Sequence, residues 1–201
     1  MRSSPASERP NAGERQRGHL VLVVGASGAG KDSILNGARA ELAGDGQFAF
    51  VRREITRPAD PWGEDHLPVS WDTFRARAAD GSYALAWEAH GCGYGIPAAA
   101  LQGLASGRSA IANVSRGVVA SARTRFAPLR VVHITVPERI LALRLSARGR
   151  ENAKQIEGRL ARAAAFQVDG DDVLTLVNDG PLTRSIASFV AMLRALSAAN
   201  G

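Results

Sequence analysis

The stretch Gly25-Ala26-Ser27-Gly28-Ala29-Gly30-Lys31-Asp32-Ser33 constrains this chain more than any other. It follows His19-Leu20-Val21-Leu22-Val23-Val24, whose unbroken apolar, β-branched character predicts a buried parallel strand. It precedes Ile34, Leu35, Ala38 and Leu42, which share one face at helical spacing. Strand, glycine loop and helix in that order predict a phosphate-binding loop. Glycines let main-chain N–H groups turn inward around a polyphosphate, and the helix N-terminus adds a field that favours anions. Residues Gly25 to Gly30 would supply the amides, and Lys31 the cation for the outer phosphates.

The position after such a lysine ordinarily carries Ser or Thr, whose hydroxyl helps hold Mg²⁺. Here it is Asp32. A carboxylate is a hard oxygen ligand and takes Mg²⁺ directly or through water. Ser33 offers a hydroxyl one residue later, about 100° farther round the helix. Asp32 is therefore the expected metal ligand, with Ser33 in reserve.

Residues 1–18 are polar, with both charge signs, Pro, Gly and Ser, and no apolar periodicity. They are expected to form a disordered tail, leaving 19–201 as one domain. Further strands are expected over 48–53, 83–87, 108–114, 129–136 and 173–177. Between them lie helical patterns: to Ala79 behind a Ser70 cap, from Pro97 to about Ala105, from a Ser115 cap to Phe126, from Pro137, over 153–166, and from Pro181 to about Ser197. His90 to Gly95 reads as a glycine-rich loop. Alternation of this kind predicts a three-layer α/β domain with a parallel sheet covered on both faces.

At 201 residues, 45% of them hydrophobic, the chain has enough core to need no metal or disulfide for stability. The single cysteine, Cys92, excludes an internal disulfide and fits a reducing compartment. No apolar run approaches the ~20 residues of a membrane span. The N-terminal charges are not followed by an apolar segment, so no secretory leader is expected and the cytoplasm is the expected location. The formal charge of +6 calls for anionic partners. Nucleic acid and a small, highly phosphorylated substrate both fit that charge. The arginines are spread over separate motifs and aromatics make up only 5%, and the glycine loop favours the small substrate.

Beyond the loop, the chemistry-bearing residues are arginines. Arg144, Arg148, Arg150 and Arg159 cluster late in the chain, and Arg148-Gly149-Arg150 between two helical patterns suits a closing lid. A phosphoryl group in transfer carries spread negative charge, which guanidinium groups grip bidentately. Taken singly, Arg144, Arg148 and Arg159 read as solvated helix-face charges, and it is the Arg-Gly-Arg stretch that favours the lid. Thr56-Arg57 after the second strand is either a grip on an acceptor phosphate or strand-end turn chemistry. Tyr94-Gly95 is either an acceptor-side loop or a tight turn. The histidines show no metal-ligand spacing. His133 reads as a packed core residue, while His66 and His90 fall in the acceptor loops. No general base stands out, which points to a phosphate acceptor, already anionic at pH 7, over a hydroxyl.

Thr56-Arg57-Pro58, Gly63-Glu64, Val69-Ser70, Phe74, Tyr94-Gly95, Arg144-Leu145, Arg148-Gly149, Arg159-Leu160 and Val177-Asn178 resemble the guanylate kinases in order and spacing, over nearly all of 19–197. Within that superfamily the chain more specifically resembles the ribose 1,5-bisphosphokinases of phosphonate catabolism. The stretches are Gly30-Lys31-Asp32-Ser33, Ala89-His90-Gly91 with Tyr94-Gly95, Asn113-Val114-Ser115-Arg116, and Arg148-Gly149-Arg150-Glu151-Asn152 with Arg159-Leu160-Ala161-Arg162-Ala163. The resemblance implies a P-loop kinase fold with a small acceptor-binding subregion and an arginine-rich lid, using ATP and Mg²⁺. It implies Lys31, Arg148, Arg150 and Arg159 as catalytic, and Arg57, Glu64, His66, His90, Tyr94, Asn113 and Arg116 around the acceptor. It also implies transfer of the ATP γ-phosphoryl to the 1-phosphate of ribose 1,5-bisphosphate, giving 5-phosphoribosyl 1-diphosphate, with neither nucleic acid nor membrane as partner. The departures from guanylate kinases run the same way. Pro58-Ala59-Asp60 replaces a further arginine, no tyrosine follows Gly63-Glu64, and Asn113 stands where an acidic residue is frequent. A nucleoside monophosphate kinase, guanylate kinase foremost, is the alternative.

Overall fold

A computed structural model describes residues 17–59, 64–147 and 152–198. Most of the expected tail, together with Gly63, Arg148, Gly149, Arg150 and Glu151, lies outside the described residues. The chain runs through β1 (Leu20–Val24), α1 (Lys31–Glu41), β2 (Phe48–Phe50), β3 (Glu54–Ile55), β4 (Leu67–Pro68) and α2 (Trp71–Ala79). It continues through β5 (Tyr83–Ala89), β6 (Cys92–Pro97), β7 (Ser109–Asn113), α3 (Val119–Arg125) and β8 (Leu129–Thr135). The last elements are α4 (Glu138–Ala147), α5 (Ala153–Ala164), β9 (Val173–Val177) and α6 (Leu182–Ala198).

The main sheet is parallel, in the order β2-β7-β1-β8-β9. All of β1 is buried, which is why its sequence shows no polar alternation. Its side chains still divide between two faces, because successive residues of a strand point oppositely. Val21 and Val23 meet Ile34, Leu35 and Ala38 of α1 and Phe189, Val190 and Leu193 of α6. Leu20, Leu22 and Val24 meet Leu85, Ile96, Leu101, Val118, Val119 and Ala122 on the other side. Each such aliphatic or aromatic side chain contributes about 1.5–3 kcal/mol on burial. Gly37 lets α1 and α6 approach, since a Cβ there would overlap the Ile186 side chain. The three-layer α/β expectation holds for this part.

A second sheet, in the order β4-β3-β6-β5, was not legible as such. Two local readings change because of it. The strand expected over 48–53 ends at Phe50, and the chain re-pairs as β3 on the second sheet. Two successive arginines, Arg52 and Arg53, cannot both remain in a sheet covered on both faces. His90 to Gly95 is mostly strand: β5 and β6 form an antiparallel hairpin turning at His90-Gly91, both at positive φ (52° and 72°). Gly93 and Gly95 are packing glycines, because a Cβ at either would overlap the Phe74 or Tyr83 ring.

Elsewhere the differences are local. Ser70 caps α2, its Oγ accepting from the Thr73 N–H at 3.0 Å. The helix expected from Pro97 is a 3₁₀ helix, Ala98–Ser106. Ser115 makes no side-chain cap. Its carbonyl accepts from the Val118 N–H at 3.0 Å and opens a 3₁₀ turn before α3. Asn152 and Gln155 form a reciprocal capping box at the start of α5. Among the described residues no helix is long and apolar enough to cross a membrane.

Candidate active site

The glycine loop joins the C-terminal end of β1 to α1, at the edge where the parallel strands end. Gly30 takes a left-handed conformation (φ 92°) at the helix N-cap. A Cβ there would also overlap the Asn178 side-chain amide. Asn178, 2% exposed, holds the loop from beneath. Its Nδ2 donates to the Ala29 carbonyl at 2.8 Å, its Oδ1 accepts from Ser185 Oγ at 2.9 Å, and its main-chain N–H donates to Thr135 at 2.8 Å. Arg144 Nη2 donates to the Asn178 carbonyl at 3.1 Å. One buried residue, through its side-chain amide and its main chain, thus ties the phosphate loop to β8, α4 and α6.

The Lys31 ammonium lies inside the loop and donates to the carbonyls of Gly25 (2.7 Å) and Ala26 (3.2 Å). Burial holds its pKa below the ordinary lysine value; Asp32 and Glu64 raise it and Arg53 lowers it further. Arg159 of α5 reaches the same loop, its Nη2 donating to Ser27 Oγ at 3.2 Å. Asp32 Oδ1 accepts from Asn113 Nδ2 at 3.1 Å, so the β7 end and the loop meet through these two side chains. Ser33 is exposed.

Asp32, Asn113, Asn36, Glu64 and Asp65 line one cleft beside the loop. Across it, the carboxylate of Glu64 is gripped by both Nε (2.7 Å) and Nη2 of Arg53. Arg53 is 7% exposed. Its guanidinium lies 5.1 Å from the Tyr94 ring centre and 5.8 Å from that of Trp87. Those two rings stack at 5.3 Å and 7°. Asp65 pairs with Arg39 (2.9 Å) and Arg52 (2.7 Å), fastening the same segment to α1. Arg57, two residues after β3, is exposed.

Three residues expected at the acceptor are placed differently. His66 is 2% exposed, its Nδ1 2.9 Å from the Glu64 carbonyl and its Nε2 3.1 Å from that of Arg57. It clasps the two ends of the segment that carries Arg57 and Glu64, and offers no free nitrogen to a ligand. His90 sits exposed on the hairpin tip, where its conformation is that of a turn residue. Arg116 turns toward α5, donating to the Ala165 carbonyl at 2.8 Å with its guanidinium 4.9 Å from the Phe166 ring centre. His133, read as core, is half-buried at the wall of a cavity of about 240 Å³ beneath α5, against Phe166 at 5.3 Å. Burial lowers its pKa. Arg148 and Arg150 fall outside the described residues. Arg53, Trp87 and the loop-holding role of Asn178 were missed. The one available signal for Arg53 was a charge pair inside an otherwise apolar strand pattern.

No family model matches the chain. The ribose 1,5-bisphosphate phosphokinase of Acidiphilium cryptum is 50% identical over 176 residues, which cover 88% of this chain and 92% of that protein. A bifunctional ribose 1,5-bisphosphokinase-thymidine phosphorylase of Azorhizobium caulinodans is 45% identical over 181 residues, 90% of this chain; the chain spans only 26% of that longer protein. Among solved structures, guanylate kinase from Anaplasma phagocytophilum superposes with a TM-score of 0.64 at 16% identity, covering 90% of this chain and 87% of that one. This last likeness concerns the fold.

Proposed function

The chain belongs to the ribose 1,5-bisphosphate phosphokinase family, and from that premise we propose that it transfers the γ-phosphoryl group of ATP to the 1-phosphate of ribose 1,5-bisphosphate. The observation that carries this reading is the convergence of Lys31, Arg159, Asp32 and Asn113 on one glycine loop, with Glu64 across the adjoining cleft. The left-handed Gly30 and the helix behind it suit a polyphosphate held by main-chain amides. Lys31 and Arg159 then supply positive charge where negative charge spreads over the moving phosphoryl group. Arg148 and Arg150 are assigned to the same task on sequence grounds.

Asp32 is the residue that would hold Mg²⁺. One carboxylate suits this ion, which keeps several waters and takes its other ligands from substrate phosphates. Hydrogen bonding to Asn113 occupies one Asp32 oxygen and orients the other. Bound there, Mg²⁺ would neutralise phosphate charge. An anionic oxygen of the acceptor 1-phosphate attacks the γ-phosphorus as the bond to the β–γ bridging oxygen breaks. The products are ADP and 5-phosphoribosyl 1-diphosphate. The attacking oxygen carries no proton to remove, consistent with a site built from cations rather than a base. Arg57 and Tyr94 are assigned to the acceptor side on sequence grounds.

A coupled ADP-release assay tests the reading. Ribose 1,5-bisphosphate is expected to be turned over far faster than GMP, AMP or dTMP. Faster turnover of GMP would make the chain a guanylate kinase instead.

A further inference from the structure

We infer that Glu64 reads the sugar hydroxyls of the acceptor, and that Arg53 on its aromatic platform is the positioning residue that makes this possible; the inference rests on the function proposed above. Glu64 lines the cleft next to Asp32 and Asn113. Both of its oxygens are engaged by Arg53, and its side chain keeps 18% of its surface. Each carboxylate oxygen has a second lone pair, which the Arg53 contact leaves able to accept from a group in the cleft.

A group placed there accepts hydrogen bonds and donates none. Phosphate oxygens bring no donor at neutral pH and would be repelled. A metal ion is a poor occupant too, because the Arg53 guanidinium already neutralises the carboxylate. What matches a fixed, charge-balanced pair of acceptors is a neutral group with two adjacent donors, and on the acceptor proposed above these can only be hydroxyls. The 2- and 3-hydroxyls of a ribosyl ring are such a group. The 1-phosphate of the same molecule then falls toward Lys31 and the glycine loop.

Arg53 fixes the geometry. Its two-point grip holds the carboxylate in one plane, and the stacked Trp87 and Tyr94 rings hold the guanidinium. Asp65 and His66, the two residues after Glu64, fasten the segment through Arg39, Arg52 and the Arg57 carbonyl. Arg53 touches no substrate in this arrangement and acts through Glu64.

The test compares ribose 1,5-bisphosphate with 2-deoxyribose 1,5-bisphosphate, as the ratio of their kcat/KM values. A ratio cancels any general loss of active enzyme. The native protein is expected to favour the ribose compound by about 10–100-fold, the range for one hydrogen bond to a charged group. Glu64→Gln and Arg53→Lys are each expected to bring the ratio within about threefold of unity. Because either single change leaves one buried charge poorly paired, the double variant Arg53→Met with Glu64→Leu removes both charges together. It too is expected to lose the discrimination while keeping its affinity for ATP. A native ratio near unity, or an undiminished ratio in all the variants, would overturn the assignment while leaving the kinase reading standing. A native protein that phosphorylates neither sugar would sink both.

Discussion

Lys31 shows how much of this site is a matter of single side chains. Its ammonium is folded into the loop, bonded to two carbonyls in the place where phosphate oxygens would be met. Lys31→Ala is expected to lower kcat/KM by a factor of order 10²–10³, with the melting temperature unchanged within a few degrees. Near-normal turnover would remove Lys31 from the mechanism. Burial also gives a pH signature. The pKa of Lys31 is lowered, so in the free protein the cation is lost, as pH rises, below the ordinary lysine value of 10.5. Bound phosphate favours the ammonium and pulls the pKa back up, so ATP affinity is expected to fall through that lowered pKa. Lys31→Arg keeps its charge far above that range. A titration of ATP affinity against pH should therefore show an alkaline limb in the native protein that is absent from the arginine variant.

At the level of elements, the loop, the hairpin and α5 each owe their position to something that local pattern does not display. Asn178 stands just after β9, yet its amide spans from the Ala29 carbonyl to Ser185 of α6. Asn178→Ala would leave that carbonyl without its buried donor, at about 1–3 kcal/mol. In a domain of this size the melting temperature is expected to drop by about 2–10 °C. The KM for ATP should rise more than that for the acceptor, because it is the phosphate loop that loosens; equal rises would deny the loop-holding role. In the small sheet, Gly95→Ala would force a methyl into the Tyr83 ring. Tyr83 Oη donates to Glu54 at 2.6 Å, and Glu54 also pairs with Arg77, so the ring cannot simply step aside. That variant is expected to melt several degrees lower, and an unchanged melting curve would show that the ring yields. These contacts explain what sequence could and could not tell. The glycine loop, β1 and α1 were legible because their apolar spacing and their chemistry lie within a short window. The second sheet was not, because β3 and β4 are two residues each and pair only with distant partners. His66 read as a ligand contact, since nothing local discloses that two main-chain carbonyls close over its nitrogens.

On the scale of the whole molecule, the parallel sheet sets the glycine loop at its C-terminal edge, and under the proposed function the segment carrying Glu64 beside it faces the acceptor. Within a chain of formal charge +6, Lys31 and Arg159 reach the glycine loop where phosphates would lie. Arg53 lies beside the same cleft but is spent on Glu64, and by the inference above that pair presents fixed acceptors to the sugar hydroxyls. The most direct test of the central claim is ³¹P NMR of the protein incubated with MgATP and ribose 1,5-bisphosphate. The expected result is loss of the acceptor's 1-phosphate resonance and growth of a coupled diphosphate pair matching 5-phosphoribosyl 1-diphosphate, in step with ADP. An unchanged acceptor beside accumulating inorganic phosphate, or conversion of added GMP to GDP in its place, would contradict it.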